Sequence, residues 1–177
     1  MSEQEIDQIA AAAMRGEAPA ISKLMVRSWD MAFRLGARVL GDRSAAQDVA
    51  QAACERALRS LKLLRSAKAY DAWFYAIVLR IALRERAALA RHAALEVRER
   101  PVFVDPTDSI VVNEAIDRLQ PELKYVVILF YGCDLRTSDI ARCLNLPHGT
   151  VRYRLHEARK LLREMLESTV GKESIGA

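Results

Sequence analysis

From about Ala93 to Val112 the helical periodicity of the chain lapses, and Pro101, Asp105, Pro106, Thr107, Asp108 and Ser109 gather in a stretch that favours extended or turn backbone. On either side, apolar residues recur at three- and four-residue spacing, the signature of amphipathic helices. A chain of 177 residues broken in this way reads as two small domains rather than one larger one. Only seven glycines and five prolines occur in it, so element interiors are seldom interrupted and an all-α fold is expected. The first block, from Ile6 to about His92, is punctuated at Gly16 to Pro19, at Gly41-Asp42-Arg43-Ser44 and at the basic connection Lys62 to Lys68, which leaves room for four or five helices. The second runs from about Asn113 to Thr169, and Gly171 to Ala177 has the composition of a frayed tail. The expected division is a domain at 1–92, a flexible linker at 93–112, a helix-turn-helix domain at 113–170 and a tail at 171–177.

Other classes are disfavoured. Cys54, Cys133 and Cys143 form no CxxC pair, and only His92, His148 and His156 could complete a metal site, so the thiols read as reduced core residues and no metal or cofactor is expected. The N-terminus carries Glu3, Glu5 and Asp7 where a secretory signal would be basic. The most apolar stretch, Ala69 to Leu83, is too short for a membrane span and contains Asp71 and Arg80, so it reads as a buried helix in a cytoplasmic protein. No phosphate-binding glycine loop and no Ser/His/Asp constellation supports an enzyme.

The second block carries the sharper signal. Thr137-Ser138-Asp139 offers N-cap chemistry for a short helix through Asn145, and Leu146-Pro147-His148-Gly149-Thr150 predicts a tight turn into a longer helix, which is helix-turn-helix grammar. On a 100° wheel Val151, Leu155, Ala158, Leu162, Met165 and Leu166 share one arc, while Arg152, His156, Arg159, Lys160 and Arg163 share another. Residues 148–163 carry a net charge of +4, equal to that of the whole chain. A helix seated in the major groove reads bases from its leading turns and holds phosphates further along. That geometry makes His148, Thr150, Arg152, Tyr153, Arg154 and His156 candidate base readers, and Arg159, Lys160 and Arg163 candidate phosphate holders.

In the first block Asp48, Gln51 and Glu55 fall on one stripe of a helix whose opposite side, Val49, Ala53, Ala57 and Leu61, turns toward the core. Such a stripe can meet a basic partner helix. Of the aromatic run Trp73-Phe74-Tyr75, the first two are expected in the core and Tyr75 on a more open side.

These segments together resemble the extracytoplasmic-function family of sigma factors, over nearly the whole chain. In the second block, Ala115 to Leu123, Val126 to Tyr131, Asp139-Ile140-Ala141, and Gly149-Thr150-Val151-Arg152 through Ala158-Arg159-Lys160 resemble the family's minus-thirty-five domain. In the first, Ala37 to Asp42 followed by Asp48-Val49-Ala50-Gln51 resembles its core-binding segment, and Trp73-Phe74-Tyr75 with Ile77 its minus-ten segment. The resemblance implies a transcription initiation factor, not an enzyme, that binds core RNA polymerase and directs it to promoters. It implies that Asp48, Gln51 and Glu55 grip the clamp helices of the largest subunit. Lys62, Arg65 and Lys68 would lie where a flipped minus-ten base is held. Tyr75, Arg80, Arg84, Arg86 and Arg91 would face the single strand and nearby phosphates. It further implies double-stranded promoter DNA and an anti-sigma factor as partners. The sequence departs from the family at Ala76 and Leu79, commonly Arg, at Arg80, commonly Asn, at Glu157, commonly basic, and at Arg136, where a capping Ser is common and Thr137 is expected to cap instead. The rival readings are an autonomous helix-turn-helix repressor or activator, and a helical adaptor whose basic face binds protein.

Overall fold

Ser2 opens the first helix with a reciprocal cap. Its hydroxyl accepts the Glu5 backbone N–H at 3.3 Å, while the Glu5 carboxylate accepts the Ser2 N–H at 2.6 Å. The bond from the Ser2 backbone, foremost, and the Ser2 hydroxyl beside the carboxylate hold the Glu5 carboxyl below its ordinary pKa. The computed structural model describes residues 2–93 and 110–173, and these fall into two compact units, each helical, with no strand among the described residues. The first unit holds α1 (Glu3–Met14), α2 (Ala18–Leu40), α3 (Arg43–Ser60) and α4 (Tyr70–Ala93), with 3-10 turns at Leu61–Leu63 and Ala67–Ala69 between the last two. The second holds α5 (Ile110–Asp117), α6 (Pro121–Val127), a π turn at Ile128–Gly132, α7 (Thr137–Leu144) and α8 (His148–Glu173).

In the first unit the turn between α2 and α3 is as short as a helical hairpin allows. Gly41 takes the left-handed conformation, φ 67°, and returns its N–H to Ala37 O at 2.8 Å. The next residue, Asp42, caps α3 by accepting the Ala45 N–H at 2.9 Å. The two helices then approach closely because Gly36 lies against Ala46. A Cβ built at Gly36 would sit 3.3 Å from the Ala46 Cα. Helix α4 packs on both α2 and α3 and closes the core around Leu24, Leu35, Val49, Tyr70, Phe74 and Val78. Two polar links fasten it. Ser28 and Tyr70 share a buried hydrogen bond of 2.7 Å, and Arg27 donates two 2.7 Å bonds to the Asp71 carboxylate.

In the second unit the apolar back of α8, Val151, Leu155 and Ala158, is buried with Leu119, Val127 and Ile140. Ile116, Leu123, Leu161, Leu162 and Met165 pack around that centre. Lys124 is almost fully buried and paired with Asp117, which ties α6 to α5.

Several expectations need correction. The linker expected at 93–112 ends earlier, since Ile110 to Val112 are helical. Three consecutive β-branched residues have only modest helix propensity, and Val111 and Val112 are exposed, but α5 packs on α8 further along, where Ala115 is buried and Ile116 lies against the core, and that packing stabilises the helix as a whole. At the other end α8 continues to Glu173, past the expected start of the tail. The rest of the connection, 94–109, lies outside the described residues. Helix α7 is capped by Arg136 without a side-chain bond, so neither Thr137 nor Ser138 serves as the cap. Thr137 is the first helical residue, and its hydroxyl goes elsewhere. The three cysteines form no disulfide and are half-buried rather than core residues.

Candidate nucleic-acid interface

The turn between α7 and α8 comprises only Asn145, Leu146 and Pro147, since α8 begins at His148 rather than after it. Asn145 adopts φ 53°, ψ 49°, the left-handed conformation that Asn tolerates better than other side-chain-bearing residues. The Leu146 N–H then reaches back to Ala141 O at 2.9 Å. Pro147 supplies the preset φ and missing donor suited to a helix start, and its carbonyl accepts from Thr150 and Val151. Across the turn the Thr137 hydroxyl and His148 Nε2 lie 2.8 Å apart. That bond pins the first side chain of α8 to the first of α7, so the leading end of the long helix is held by side chain as well as backbone.

From there the outer face of α8 follows from the 3.6-residue repeat. With Val151, Leu155 and Ala158 fully engaged inward, Arg152, His156, Arg159, Lys160 and Arg163 all come out exposed. His148 and Tyr153 are exposed too, Tyr153 by 64%. Thr150 and Arg154 are half-buried and lie at the flank of the stripe, not on its crest. Within residues 148–163 no acidic side chain stands on the stripe, and the first on its line is the exposed Glu167, four residues after Arg163. Glu157 is half-buried at its margin.

One cation on this face is held by aromatics from the preceding segment. The Arg159 Nε donates to the Tyr131 hydroxyl at 2.8 Å, and its guanidinium carbon lies 5.4 Å from the Phe130 ring centre and 5.7 Å from that of Tyr131. The π turn makes this possible. Its extra residue per turn sends Phe130 and Tyr131 out beside α8 while Ile128 and Leu129 remain buried. A period-3.6 reading of 126–131 could not have shown it, because the register changes inside the segment.

In the first unit, Asp48, Gln51 and Glu55 are exposed on α3, and Val49, Ala53, Ala57 and Leu61 are buried behind them. Glu55 accepts from Gln51 at 3.2 Å and pairs with Arg59 at 3.3 Å, so the stripe ends in an ion pair. Lys62, Arg65 and Lys68 are exposed along the two 3-10 turns, and Leu63 among them is 79% exposed. Leu63 lies inside the basic connection, where the cationic residues around it carry the stronger sequence signal. The 3-10 turn rotates it out. Arg80, Arg84 and Arg91 are exposed and Arg86 half-buried; Arg80 Nε donates to Ala76 O at 2.9 Å.

Tyr75 departs from expectation. It is only 5% exposed, together with Phe74 at 0%, whereas Trp73 is half-buried. Because α4 is covered by two helices, its buried arc is much wider than the single stripe assumed from the sequence, and Tyr75 and Leu79 fall within it. The ring is not available to unstacked bases. Among the described residues no cluster of three or more His, Cys, Asp or Glu could hold a metal ion, and no helix is long and apolar enough to cross a membrane.

Comparison with known proteins agrees with this geometry. Residues 25–92 match the family model described as sigma-70 region 2, and residues 110–162 the one described as sigma-70 region 4. The RNA polymerase sigma-H factor of Pseudomonas aeruginosa is 26% identical over an alignment covering 94% of this chain and 96% of that protein. The ECF RNA polymerase sigma factor SigW of Bacillus subtilis is likewise 26% identical, covering 86% and 91%. Among solved structures, the fold is similar to that of the sigma factor RpoE in complex with the anti-sigma factor NepR from Bartonella quintana. The TM-score is 0.70 at 16% identity, over 82% of this chain and 96% of that one.

Proposed function

The chain belongs to the extracytoplasmic-function family of RNA polymerase sigma factors, and from that premise we infer how its two units divide the work of a transcription initiation factor. We assign the first unit, 1–92 in sequence terms, to core polymerase and the minus-ten element, and the second, beginning at Ile110, to the minus-thirty-five element. The observation that carries the second assignment is the outer face of α8, where five cationic or imidazole side chains are exposed along one stripe behind a short, pinned turn.

On this reading α8 enters the major groove by its N-terminal end. His148, Arg152, Tyr153 and His156 face base edges, with Thr150 and Arg154 at the flank, while Arg159, Lys160 and Arg163 meet phosphates. His148 keeps one ring nitrogen on Thr137 and has the other to offer. The exposed stripe Asp48, Gln51 and Glu55 meets the clamp helices of the polymerase's largest subunit. Lys62, Arg65 and Lys68 approach the backbone of the separated minus-ten strand, and Leu63 between them presents an apolar surface to an unstacked base. Arg80 and Arg84 follow the strand along α4. Tyr75 has a structural part in this scheme, under the surface that the strand crosses. The polymerase supplies the chemistry, so the protein itself is no enzyme. It acts in the cytoplasm, and an anti-sigma factor covers these surfaces until it is released, by analogy with the complex formed by the structural relative.

The experiment is transcript start mapping with purified core polymerase, this protein and a library of randomised promoters. The expected result is a set of starts sharing two short elements at fixed spacing. Transcripts with no shared upstream sequence would overturn the assignment.

A further inference from the structure

We propose that Tyr131 is a direct ligand of a DNA phosphate, acting beside Arg159 so that one backbone phosphate is held by a neutral hydroxyl and a guanidinium together. This rests on the reading of the outer face of α8 as the DNA side, and it adds to that face a residue from outside the helix. Arg159 lies seven residues after Arg152, three after His156 and four before Arg163, on the crest of the stripe. Its Nε–H is given to the Tyr131 oxygen at 2.8 Å. A guanidinium has five N–H donors, so four remain on the two terminal nitrogens, in the fork that suits a phosphate. Among the described residues no carboxylate takes them.

The tyrosine is oriented by the same bond. Its oxygen accepts from Nε, which turns its own proton outward, and among the described residues nothing accepts that proton. Exposure alone would carry little, since single exposed aromatics are ordinary on protein surfaces. What distinguishes Tyr131, 59% exposed, is a direct bond to a cation on the outer face of α8. The Phe130 and Tyr131 rings stand edge to face, centroids 4.9 Å apart at 81°, and the Arg159 guanidinium lies over both. The fork is therefore restricted before DNA arrives, and a phosphate seated on it meets terminal N–H groups and the phenolic O–H.

The two donors leave different thermodynamic traces. Only a charged group displaces counterions from DNA, so only its loss changes the slope of log binding constant against log salt. The test uses full-length variants assembled with core polymerase on a duplex promoter taken from the randomised library, with affinity measured across a salt series. Tyr131→Phe keeps both rings and loses only the hydroxyl. It is expected to weaken binding about three- to tenfold at every salt concentration with an unchanged slope. Arg159→Ala is expected to lower the slope by about 1. In the Arg159→Ala background, Tyr131→Phe should still weaken binding about threefold, because the hydroxyl reaches the phosphate itself. Tyr131→Phe equal to wild type, or an effect that vanishes in the Arg159→Ala background, would overturn the inference while leaving the DNA face intact. Loss of neither affinity nor slope in Arg159→Ala and Lys160→Ala alike would overturn the face as well.

Discussion

Arg27 on α2 and Asp71 at the start of α4 face each other as a fork on a fork, through two hydrogen bonds of 2.7 Å, with only 22% and 33% of their side chains exposed. Such bidentate, part-buried pairs are stronger than surface ion pairs because both geometry and solvent exclusion favour them. Their place in the chain gives them further importance. Asp71 comes two residues after the connection that carries Lys62, Arg65 and Lys68, so the pair anchors the end of that connection to α2.

Removing either partner alone leaves the other short of bonds in a half-excluded site. Arg27→Ala and Asp71→Ala are each expected to destabilise the first unit by about 2 kcal/mol, with a coupling energy of about 1–2 kcal/mol in the double-mutant cycle. Urea unfolding of the three variants measures this, and simple additivity would show that the pair contributes nothing as a pair.

Beside that latch, burial pushes the Tyr70 hydroxyl far above the ordinary tyrosine range, against a smaller opposing effect of its bond to Ser28. The unfolded chain ionises this tyrosine near pH 10. The folded protein resists doing so. The stability difference is therefore fully present below about pH 10 and falls as the pH rises beyond it. Cys54, whose thiol burial also raises, adds to the same alkaline decline from a lower pH. Tyr70→Phe should flatten the decline between about pH 10 and 11. At neutral pH it should cost about 1–2 kcal/mol, because Ser28, fully buried, loses its partner. An alkaline limb of unchanged steepness would contradict this account.

The turn into α8 depends on Asn145 and its positive φ of 53°. Asn145→Gly should be neutral or stabilising by a few tenths of a kcal/mol, whereas Asn145→Val should cost about 1–2 kcal/mol, since a β-branched side chain clashes there. Thermal unfolding of the two variants separates them. Equal midpoints would mean that the turn relaxes into another conformation.

The division of labour along α8 has its own signature. Arg152→Ala should relax sequence preference at one position of the minus-thirty-five element by about 1–3 kcal/mol, while Lys160→Ala should weaken all sequences alike and reduce the salt slope by about 1. Binding competition among single-base variants of the promoter reads both, and the opposite pattern would exchange the two roles.

The wheel of α8 shows why much of this protein was legible in advance. A helix packed on one side obeys a single periodicity, so the inward set of Val151, Leu155 and Ala158 and the outward set of Arg152, His156, Arg159 and Arg163 could be separated by counting alone. The same held for α3, with Val49, Ala53 and Ala57 opposite Asp48, Gln51 and Glu55. For α4 counting failed. Two helices cover it, and the burial of Tyr75 depends on where the second one lies. The cap of α7 failed for a similar reason: Thr137 has the right chemistry, but its hydroxyl is taken by His148, eleven residues away.

The sequence by itself determined the all-helical class, the cationic stripe and its apolar back, because these depend on composition and on spacing within one helix. Tertiary structure decided the rest. It buried Tyr75, brought Asp71 to Arg27, and set Tyr131 against Arg159 through a π turn whose change of register no fixed period encodes. Such contacts join residues 28 to 44 positions apart, and the energy that selects them comes from packing between helices, which local pattern does not contain.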